Sequence, residues 1–540
     1  MSEARRGLIR ITTNYGRLMA TLVIGLILVP VQLAWVGPNG FGLIAAIGAS
    51  TGLAAMLQDI MRQSMVRELG TVWHAANAPD SGPEERAHFR SVYASAFVLC
   101  GFIALLTAGI FLVFLWFVHD AIWPFHELPD EFRTAGQWIL AAEGISTCLL
   151  IVLAPAYNMY VVMERFPENN ILFTLKRFIY LLASVILLVT LGTGEIELSL
   201  KLFGVCTAGL SILLLLAAVC WIMLPDARLR PHLPSANRHA LREIIGTFGW
   251  NSAVVTAMNL HERIGIWVML GFFGLWGSTI FALAIRTVGY VRMLTLGLTY
   301  GLDAVSARIS AEDDTKAYRS LVRHLTRLHA YVAIPAAITV FLLAEPLLRL
   351  WIGRSVADTD PESGRELISA TVLLVKIMVI GLMSRAISEC WMKLLYGAGH
   401  IRHYAPLILA GGIANPLIAW LLIETLPESW NWTGAAIAFG GVFLLVHLIL
   451  LPLTNGEYLG MPGRSILAAL VRPTVLAAVP ASVYAVVLLW PGPAPWYVVF
   501  SSCAVYAILY GLLGIAFGLE PRERRRIVGM INRVRRRSAQ

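Results

Sequence analysis

The sequence predicts an all-α polytopic membrane protein with about fourteen transmembrane helices. Of its 540 residues, 58% are hydrophobic and only 14% are charged, whereas about 25% are charged in an ordinary soluble domain. The mean hydropathy is +0.71, and a spanning helix needs about 20 mainly apolar residues. These observations exclude a disordered chain, a nucleic-acid module and a soluble enzyme with a single membrane anchor.

The apolar segments can be placed one by one along the chain. They lie at approximately 18–36, 40–60, 92–118, 136–157, 171–192, 199–223, 244–270, 276–300, 328–350, 368–396, 404–423, 432–453, 466–490 and 496–517. Residues 1–17 precede the first segment and alternate basic and apolar side chains, which is typical of a short helix lying in the membrane interface.

The distribution of basic residues predicts the orientation. With the N-terminus inside, cytoplasmic segments and span ends hold 33 of the 42 Lys and Arg residues. This bias keeps its sign through all fourteen crossings, which predicts an even number of spans and both termini in the cytoplasm. The Arg-rich tail fits an orientation anchor that attracts anionic lipid head groups better than a nucleic-acid patch.

A repeated turn divides the chain into similar halves. Gly37-Pro38-Asn39-Gly40 opens the second span and Gly274-Leu275-Trp276-Gly277 opens the eighth, 237 positions later. The same offset carries the third to sixth spans onto the ninth to twelfth. Six spans per copy give both copies the same polarity, so we expect two six-helix lobes around a central cavity and a C-terminal helix pair. Coincidence among evenly spaced spans is the alternative.

This interpretation gives six predicted regions. They are an amphipathic N-terminal segment (1–17), an N-lobe with spans 1–6 (18–225), a basic cytoplasmic linker (226–243), a C-lobe with spans 7–12 (244–455), spans 13 and 14 (466–517) and a basic cytoplasmic tail (518–540).

Ionisable residues near mid-span are the candidate functional residues, because a charge at the bilayer centre costs about 2.5–3.5 kcal/mol on insertion scales. The candidates for binding a substrate phosphate or diphosphate are Arg263, Arg286, Arg292 and Lys376. The candidates for ion coupling or a polar cavity wall are Glu262, His261, Glu143, Asn259, Asn251, Asp59 and Arg62. A net cationic cavity favours an anionic substrate, since arginine clusters recognise phosphate well.

Two alternatives remain open for these charges. Residues 59–68, Lys176 with Arg177, and Arg385, Glu389 and Lys393 lie toward the cytoplasmic side, where snorkelling explains them. For the mid-span charges, mutual pairing that only holds the lobes together is the competing interpretation. The sequence contains no GxSxG, HExxH, GxGxxG or P-loop motif, so it predicts no catalytic residue, metal site or cofactor.

Three segments resemble polysaccharide flippases of the Wzx type. The first runs from Trp35 through the Gly37 turn to Asp59 and Arg67-Glu68. The second contains His261-Glu262-Arg263, the glycine-rich stretch 271–277 and Ala282-Leu-Ala-Ile-Arg286, and the third is Leu395–Arg402. The similarity covers about residues 10–455. Glu262 stands where many members have Asp, and the added spans 13 and 14 resemble those of lipid II flippases.

The resemblance implies the multidrug/oligosaccharidyl-lipid/polysaccharide exporter superfamily. The flippases of this superfamily move undecaprenyl-diphosphate-linked glycans from the cytoplasmic to the periplasmic leaflet of the bacterial inner membrane. They work by alternating access driven by an ion gradient. It implies a proton or sodium as coupling ion, and polysaccharide polymerase machinery as a partner in surface polysaccharide assembly, such as that of O-antigen or exopolysaccharide. Alternatives are a cation-coupled multidrug exporter, a membrane-embedded glycan-assembly enzyme and an inactive scaffold.

Overall fold

The computed structural model describes residues 3–246, 249–299, 301–312, 314–357 and 361–518. Within these ranges, the side chains at positions 3–11, 59, 63, 64, 304 and 357 are not described. The predicted basic tail after residue 518 therefore lies outside the described residues.

The described chain is built from helices and short turns, which confirms the all-α fold class. The α-helices are α1 (Glu3–Ala54), α2 (Met56–Ala76), α3 (Pro83–His119), α4 (Asp130–Val152), α5 (Ala154–Val162), α6 (Phe166–Leu191), α7 (Ile196–Met223), α8 (Arg238–Gly246), α9 (Gly249–Leu296), α10 (Leu302–Ala311), α11 (Thr315–Ala357), α12 (Pro361–Gly397), α13 (Ile401–Thr425), α14 (Gly434–Phe443), α15 (Leu451–Asn455), α16 (Gly463–Ala478), α17 (Ala485–Leu488) and α18 (Trp496–Leu513). A π-helix, Leu444–Leu450, joins α14 to α15.

Twelve helical stretches in the described residues are long and apolar enough to cross a membrane. Two of them are far longer than one crossing requires, Thr12–Ala76 with 65 residues and Gly249–Thr299 with 51. At 1.5 Å per residue, even the shorter would extend about 75 Å, against a hydrocarbon core of about 30 Å. Both are broken at a glycine, near Gly37 and at Phe273–Gly274. Two passes in each give the fourteen segments that the sequence predicts, in a multi-pass membrane protein.

The two breaks have the same local geometry. Gly37 has φ 67° and ψ −178°, and Gly274 has φ 58° and ψ −153°, which only glycine adopts at little cost. A second glycine, three residues later, allows the backbone to pack against the side chain four residues before it. A Cβ on Gly40 would lie 2.5 Å from the Cβ of Val36, and a Cβ on Gly277 would lie 2.6 Å from the Cβ of Phe273. The Gly-x-x-Gly spacing therefore encodes the turn in both copies.

The described chain divides into two compact units. Unit 1 contains the chain up to Ile285, Trp351–Thr371 and Ala405–Phe439. Its helices pack in pairs, α1 against α6, α4 against α7 and α3 against α4. A buried core joins α2, α3, α5 and α7 to the region that follows α7.

The basic linker predicted at 226–243 is part of the fold of unit 1. Its Asn237 receives a hydrogen bond from the Ser95 hydroxyl and donates one of 2.8 Å from Nδ2 to Ser91 Oγ, so the linker is fixed to α3. The Arg228 guanidinium hydrogen-bonds the Asp226 carboxylate and holds the pKa of Asp226 below its ordinary value. The linker ends in α8 rather than running into the next span at residue 244.

Unit 2 contains Arg286–Leu350, Val372–Tyr404 and the chain from Gly440 onward. The C-terminal helices pack on α11, where Leu343 lies in a buried cluster with Tyr484 and Val499. The Tyr484 and Thr339 hydroxyls are hydrogen-bonded at 2.7 Å. At the other end of this packing, Arg327 and Tyr331 both donate to the Gly518 carbonyl. The predicted pair of spans 13 and 14 is thus held on a helix of unit 2 by polar contacts as well as apolar ones.

Candidate functional site

Arg263 is the best-defined candidate cation in unit 1. Its Nε donates a 2.9 Å hydrogen bond to Asn259 Oδ1, one helical turn earlier on α9. The guanidinium lies against Gly52 of α1, where a Cβ would overlap it. Among the described residues Arg263 has no carboxylate within ion-pair distance. The glycine provides space for the guanidinium, and the asparagine orients it without neutralising its charge.

Two further cations extend this positive region on α6. Arg177 interacts electrostatically with Arg263 and Tyr180, and Lys176 interacts with Glu143 and Arg177. Snorkelling, which the sequence suggests for Lys176 and Arg177, does not by itself account for these interactions. We define the cationic region of unit 1 as Arg177, Lys176 and Arg263 with Asn259, Glu143 and Tyr180. It carries three cations and one carboxylate.

Glu143 on α4 has a neutral partner in this region. The Tyr180 hydroxyl donates a 2.7 Å hydrogen bond to Glu143 Oε1. This bond joins α4 to α6, and it leaves the second carboxylate oxygen available to the nearby lysine. Sequence reasoning selected Glu143 but missed Tyr180, because a tyrosine within an apolar span gives no signal of its own.

The other candidates on α9 have different surroundings. His261 is fully buried, and its carbonyl accepts a hydrogen bond from Asn415 Nδ2. Glu262 and Asn251 are half-buried. His261 therefore belongs to the packing between α9 and α13. Its coupling role stays a prediction.

In unit 2, Arg292 is engaged in a buried ion pair. Its Nε and Nη2 each donate a 3.2 Å hydrogen bond to the Glu389 carboxylate on α12. Arg385 lies 3.8 Å from the same carboxylate, one turn earlier. Arg385 and Glu389 are only 4% and 7% exposed, so the prediction that they snorkel to the cytoplasm is wrong. Arg292 is therefore paired with Glu389, and a substrate phosphate would have to displace that carboxylate in order to bind the guanidinium.

The remaining substrate candidates of unit 2 lie apart from this pair. Arg286 is half-buried and interacts electrostatically with Tyr290, one turn later on α9. Lys376 is half-buried on α12 and makes no hydrogen bond or ion pair with a described residue. Among the described residues of unit 2, Lys376 is therefore a predicted cation without an ion pair.

Arg62 lines a cavity inside unit 1. Asp59, one turn earlier on α2, lies outside the described side chains. Of the predicted site residues, the structure brings Arg263, Asn259 and Glu143 into one cationic region of unit 1, and it gives Arg292 a separate partner in unit 2.

Known structures share this fold. A lipid II flippase MurJ in an inward closed conformation superposes with a TM-score of 0.63 at 12% sequence identity, covering 94% of this chain and 98% of that one. An inward-facing multidrug resistance MATE family transporter of the MOP superfamily superposes with a TM-score of 0.59 at 13% identity, covering 86% of this chain and 94% of that one.

No protein-family model matches the sequence, and no curated protein matches it either. At these identities the structural comparisons define the fold. The chain has the same fold as a lipid II flippase and as a MATE family transporter of the MOP superfamily. The predicted fold is therefore confirmed, and the superfamily and Wzx-type assignments remain predictions.

Proposed function

We propose that this protein is a flippase that moves undecaprenyl-diphosphate-linked oligosaccharide from the cytoplasmic to the periplasmic leaflet of a bacterial inner membrane. The observation that carries the proposal is the cationic region of unit 1, which contains Lys176, Arg177 and Arg263 but, among the described residues, one carboxylate, Glu143, near Lys176. Charges held in a membrane are expensive, so an uncompensated set is expected to have an anionic ligand. A diphosphate supplies that charge and accepts hydrogen bonds from guanidinium groups.

The charge balance also separates this proposal from drug export. The multidrug branch exports mostly cationic compounds, which a net-positive region repels. We therefore expect proteoliposomes containing the protein to move lipid-linked oligosaccharide and to leave a cationic dye such as ethidium in place. Accumulation of the dye against its gradient, without movement of the glycan, would establish the drug-exporter alternative.

The central test measures glycan translocation in proteoliposomes, with an impermeant lectin reporting the glycan that reaches the outer surface. We expect Arg263→Ala to reduce the initial rate at least about tenfold, because it removes a charge-assisted contact with phosphate. Arg286→Ala and Lys376→Ala test the corresponding candidates of unit 2. Lys201→Ala is the control, since Lys201 pairs with Glu197 on α7, 2.6 Å away. Wild-type rates in all three candidate variants would overturn the phosphate role.

The same preparation tests the enzyme alternative. A flippase relocates the lipid-linked glycan without changing it, whereas a glycan-assembly enzyme converts it into a new compound. Mass spectrometry of the extracted lipids after translocation distinguishes the two. The proposal also includes coupling to a proton or sodium gradient and cooperation with polysaccharide polymerase machinery. Collapsing each gradient separately in the proteoliposomes identifies the coupling ion.

A further inference from the structure

A second cationic site lies wholly within unit 1. Five helices, α2, α4, α5, α6 and α7, surround a cavity of about 190 Å³. We call it the α2–α7 cavity. Its lining includes Arg62, Tyr157, Phe173, Lys176, Ser211 and Leu215. The described side chains of the lining contain two cations and no carboxylate.

Among the described residues, the carboxylate that interacts with a cation of the cavity is Glu143, which lies near Lys176. Arg62 and Lys176 make no hydrogen bond or ion pair with any residue that the structure describes. A third cation is close, because the Arg17 guanidinium lies 5.0 Å from the centre of the Phe173 ring. Arg17 and Arg62 both interact electrostatically with Tyr157. Basic side chains from α1, α2 and α6 thus lie in the cavity wall or next to it.

A buried hydroxyl also lacks a partner there. Ser211 is 7% exposed, and its Oγ has no hydrogen-bond partner among the described residues. Leu214 and Leu215, one turn later along α7, are apolar and also line the cavity. A buried hydroxyl without a hydrogen-bond partner is destabilising. A ligand that accepts a hydrogen bond from Ser211 would remove that destabilisation.

The volume of the cavity and the apolar side chains of its lining limit the kind of ligand that it can bind. A cavity that holds one water needs about 10–15 Å³ by the same measure, so a volume of about 190 Å³ admits a ligand much larger than water. The cavity suits a phosphate or diphosphate group with the first carbons of its apolar chain. Leucine, alanine and phenylalanine side chains form the apolar part of the wall and match such a chain.

The cavity also lies toward one end of its helices. Leu172, Phe173 and Lys176 are in the first three turns of α6, and Ser211–Ala218 lie in the second half of α7. With the orientation that the basic residues predict, this end faces the cytoplasm. The ligand would therefore come from the cytoplasmic leaflet.

We propose that the α2–α7 cavity is a binding site for the phosphate head of an amphiphile, held by Arg62, Lys176 and Ser211. This site shares Lys176 with the cationic region of unit 1 but adds Arg62 and Ser211, and the proposal concerns binding rather than transport. Two sources share the required chemistry, an isoprenoid diphosphate and an anionic phospholipid.

The test measures binding to the full-length protein in phosphatidylcholine nanodiscs, with radiolabelled farnesyl diphosphate as probe. We expect saturable binding that weakens at least about tenfold in Arg62→Ala and in Lys176→Ala, and about threefold in Ser211→Ala. Farnesol, which lacks the phosphates, should not compete. Lys201→Ala should bind as the wild type does. Equal affinity in the Arg62 and Lys176 variants, or equal competition by farnesol, would overturn the proposal.

Competition identifies the source of the ligand. Displacement by dihexanoyl phosphatidic acid at a similar concentration assigns the site to bilayer phospholipid, and its failure assigns the site to isoprenoid diphosphates. Displacement by inorganic pyrophosphate equally well would overturn the amphiphile component. Arg62→Lys controls for folding, because it retains a cation and should retain most of the affinity.

The glycan translocation assay separates this site from the proposed function. Lost binding in Arg62→Ala with normal translocation would leave the flippase proposal intact. Normal binding with no translocation in the wild type would overturn the flippase proposal and leave the binding site intact.

Discussion

The Thr279 hydroxyl donates a 2.7 Å hydrogen bond to the main-chain carbonyl of Pro38. These residues belong to the two repeated turns, so the turns contact each other within unit 1. A Cβ on Gly42 would lie 2.5 Å from Leu275 O and from Thr279 Oγ1. Gly42 and Thr279 are 237 positions apart, which is the repeat offset.

The turn contact predicts a strong effect at Gly42. Gly42→Ala should destabilise the protein by about 1–3 kcal/mol, as overpacking does, because the backbone carbonyl of Leu275 cannot move aside cheaply. Thermal unfolding of the purified protein in detergent measures the effect. Gly48→Ala on the same helix is the matched control, since a Cβ added to Gly48 would meet nothing within 4 Å. Equal unfolding temperatures in the two variants would contradict close packing of the turns.

Gly52 predicts a functional effect without a large structural one. Alanine there would displace the Arg263 guanidinium, which is the end of a flexible side chain and can move. We expect Gly52→Ala to slow glycan translocation about tenfold, equivalent to about 1.4 kcal/mol, with little change in unfolding temperature. Gly48→Ala should translocate normally. If Gly52→Ala is fully active while Arg263→Ala is inactive, the position of Arg263 against Gly52 is not the functional one.

The ion pair between Arg292 and Glu389 predicts the opposite result, a loss of stability. Removing one partner of a buried pair costs about 3–5 kcal/mol where the other charge is left uncompensated. Glu389→Gln takes the carboxylate from both Arg292 and Arg385, so we expect it to lower the unfolding temperature strongly. Arg292→Met should lower it less, because Arg385 still lies 3.8 Å from Glu389, and the double variant should recover part of the loss seen in Glu389→Gln. Lys201→Ala breaks the more exposed pair with Glu197 and should cost under about 1 kcal/mol. If Arg292→Met is stable and loses only translocation, Arg292 binds the substrate rather than only pairing with Glu389.

The sequence predicts the spans and both turns well, because hydropathy and Gly-x-x-Gly spacing are local signals. It could not predict which charges pair. Arg292 and Glu389 are 97 positions apart, and only packing brings α9 against α12. The same limit applies to Ser211, whose missing partner becomes visible only when five helices surround it. Arg263 could be selected from its position within a span, but its contact with Gly52 depends on tertiary structure.

The turn between α12 and α13 predicts a pH dependence outside the membrane spans. The rings of His400 and His403 lie against Tyr458, with centroid distances of 4.8 and 4.1 Å. Burial, followed by the nearby His403 and Arg402, lowers the pKa of His400 below its ordinary value. The folded turn therefore favours neutral His400. The stability that neutral His400 contributes is fully present above the pKa of the unfolded state, near 6.5. It is lost as the pH falls through the lower pKa that His400 has in the folded state.

Amide hydrogen exchange over residues 397–405 measures this effect locally. Between pH 7.5 and pH 5.5, protection of the turn should decrease after correction for the intrinsic exchange rate, while protection in the middle of α12 should not change. His400→Gln cannot titrate and should remove most of the pH dependence. Protection that increases on acidification would show that the turn stabilises the charged imidazole, which would contradict the effect expected from its burial beside Arg402.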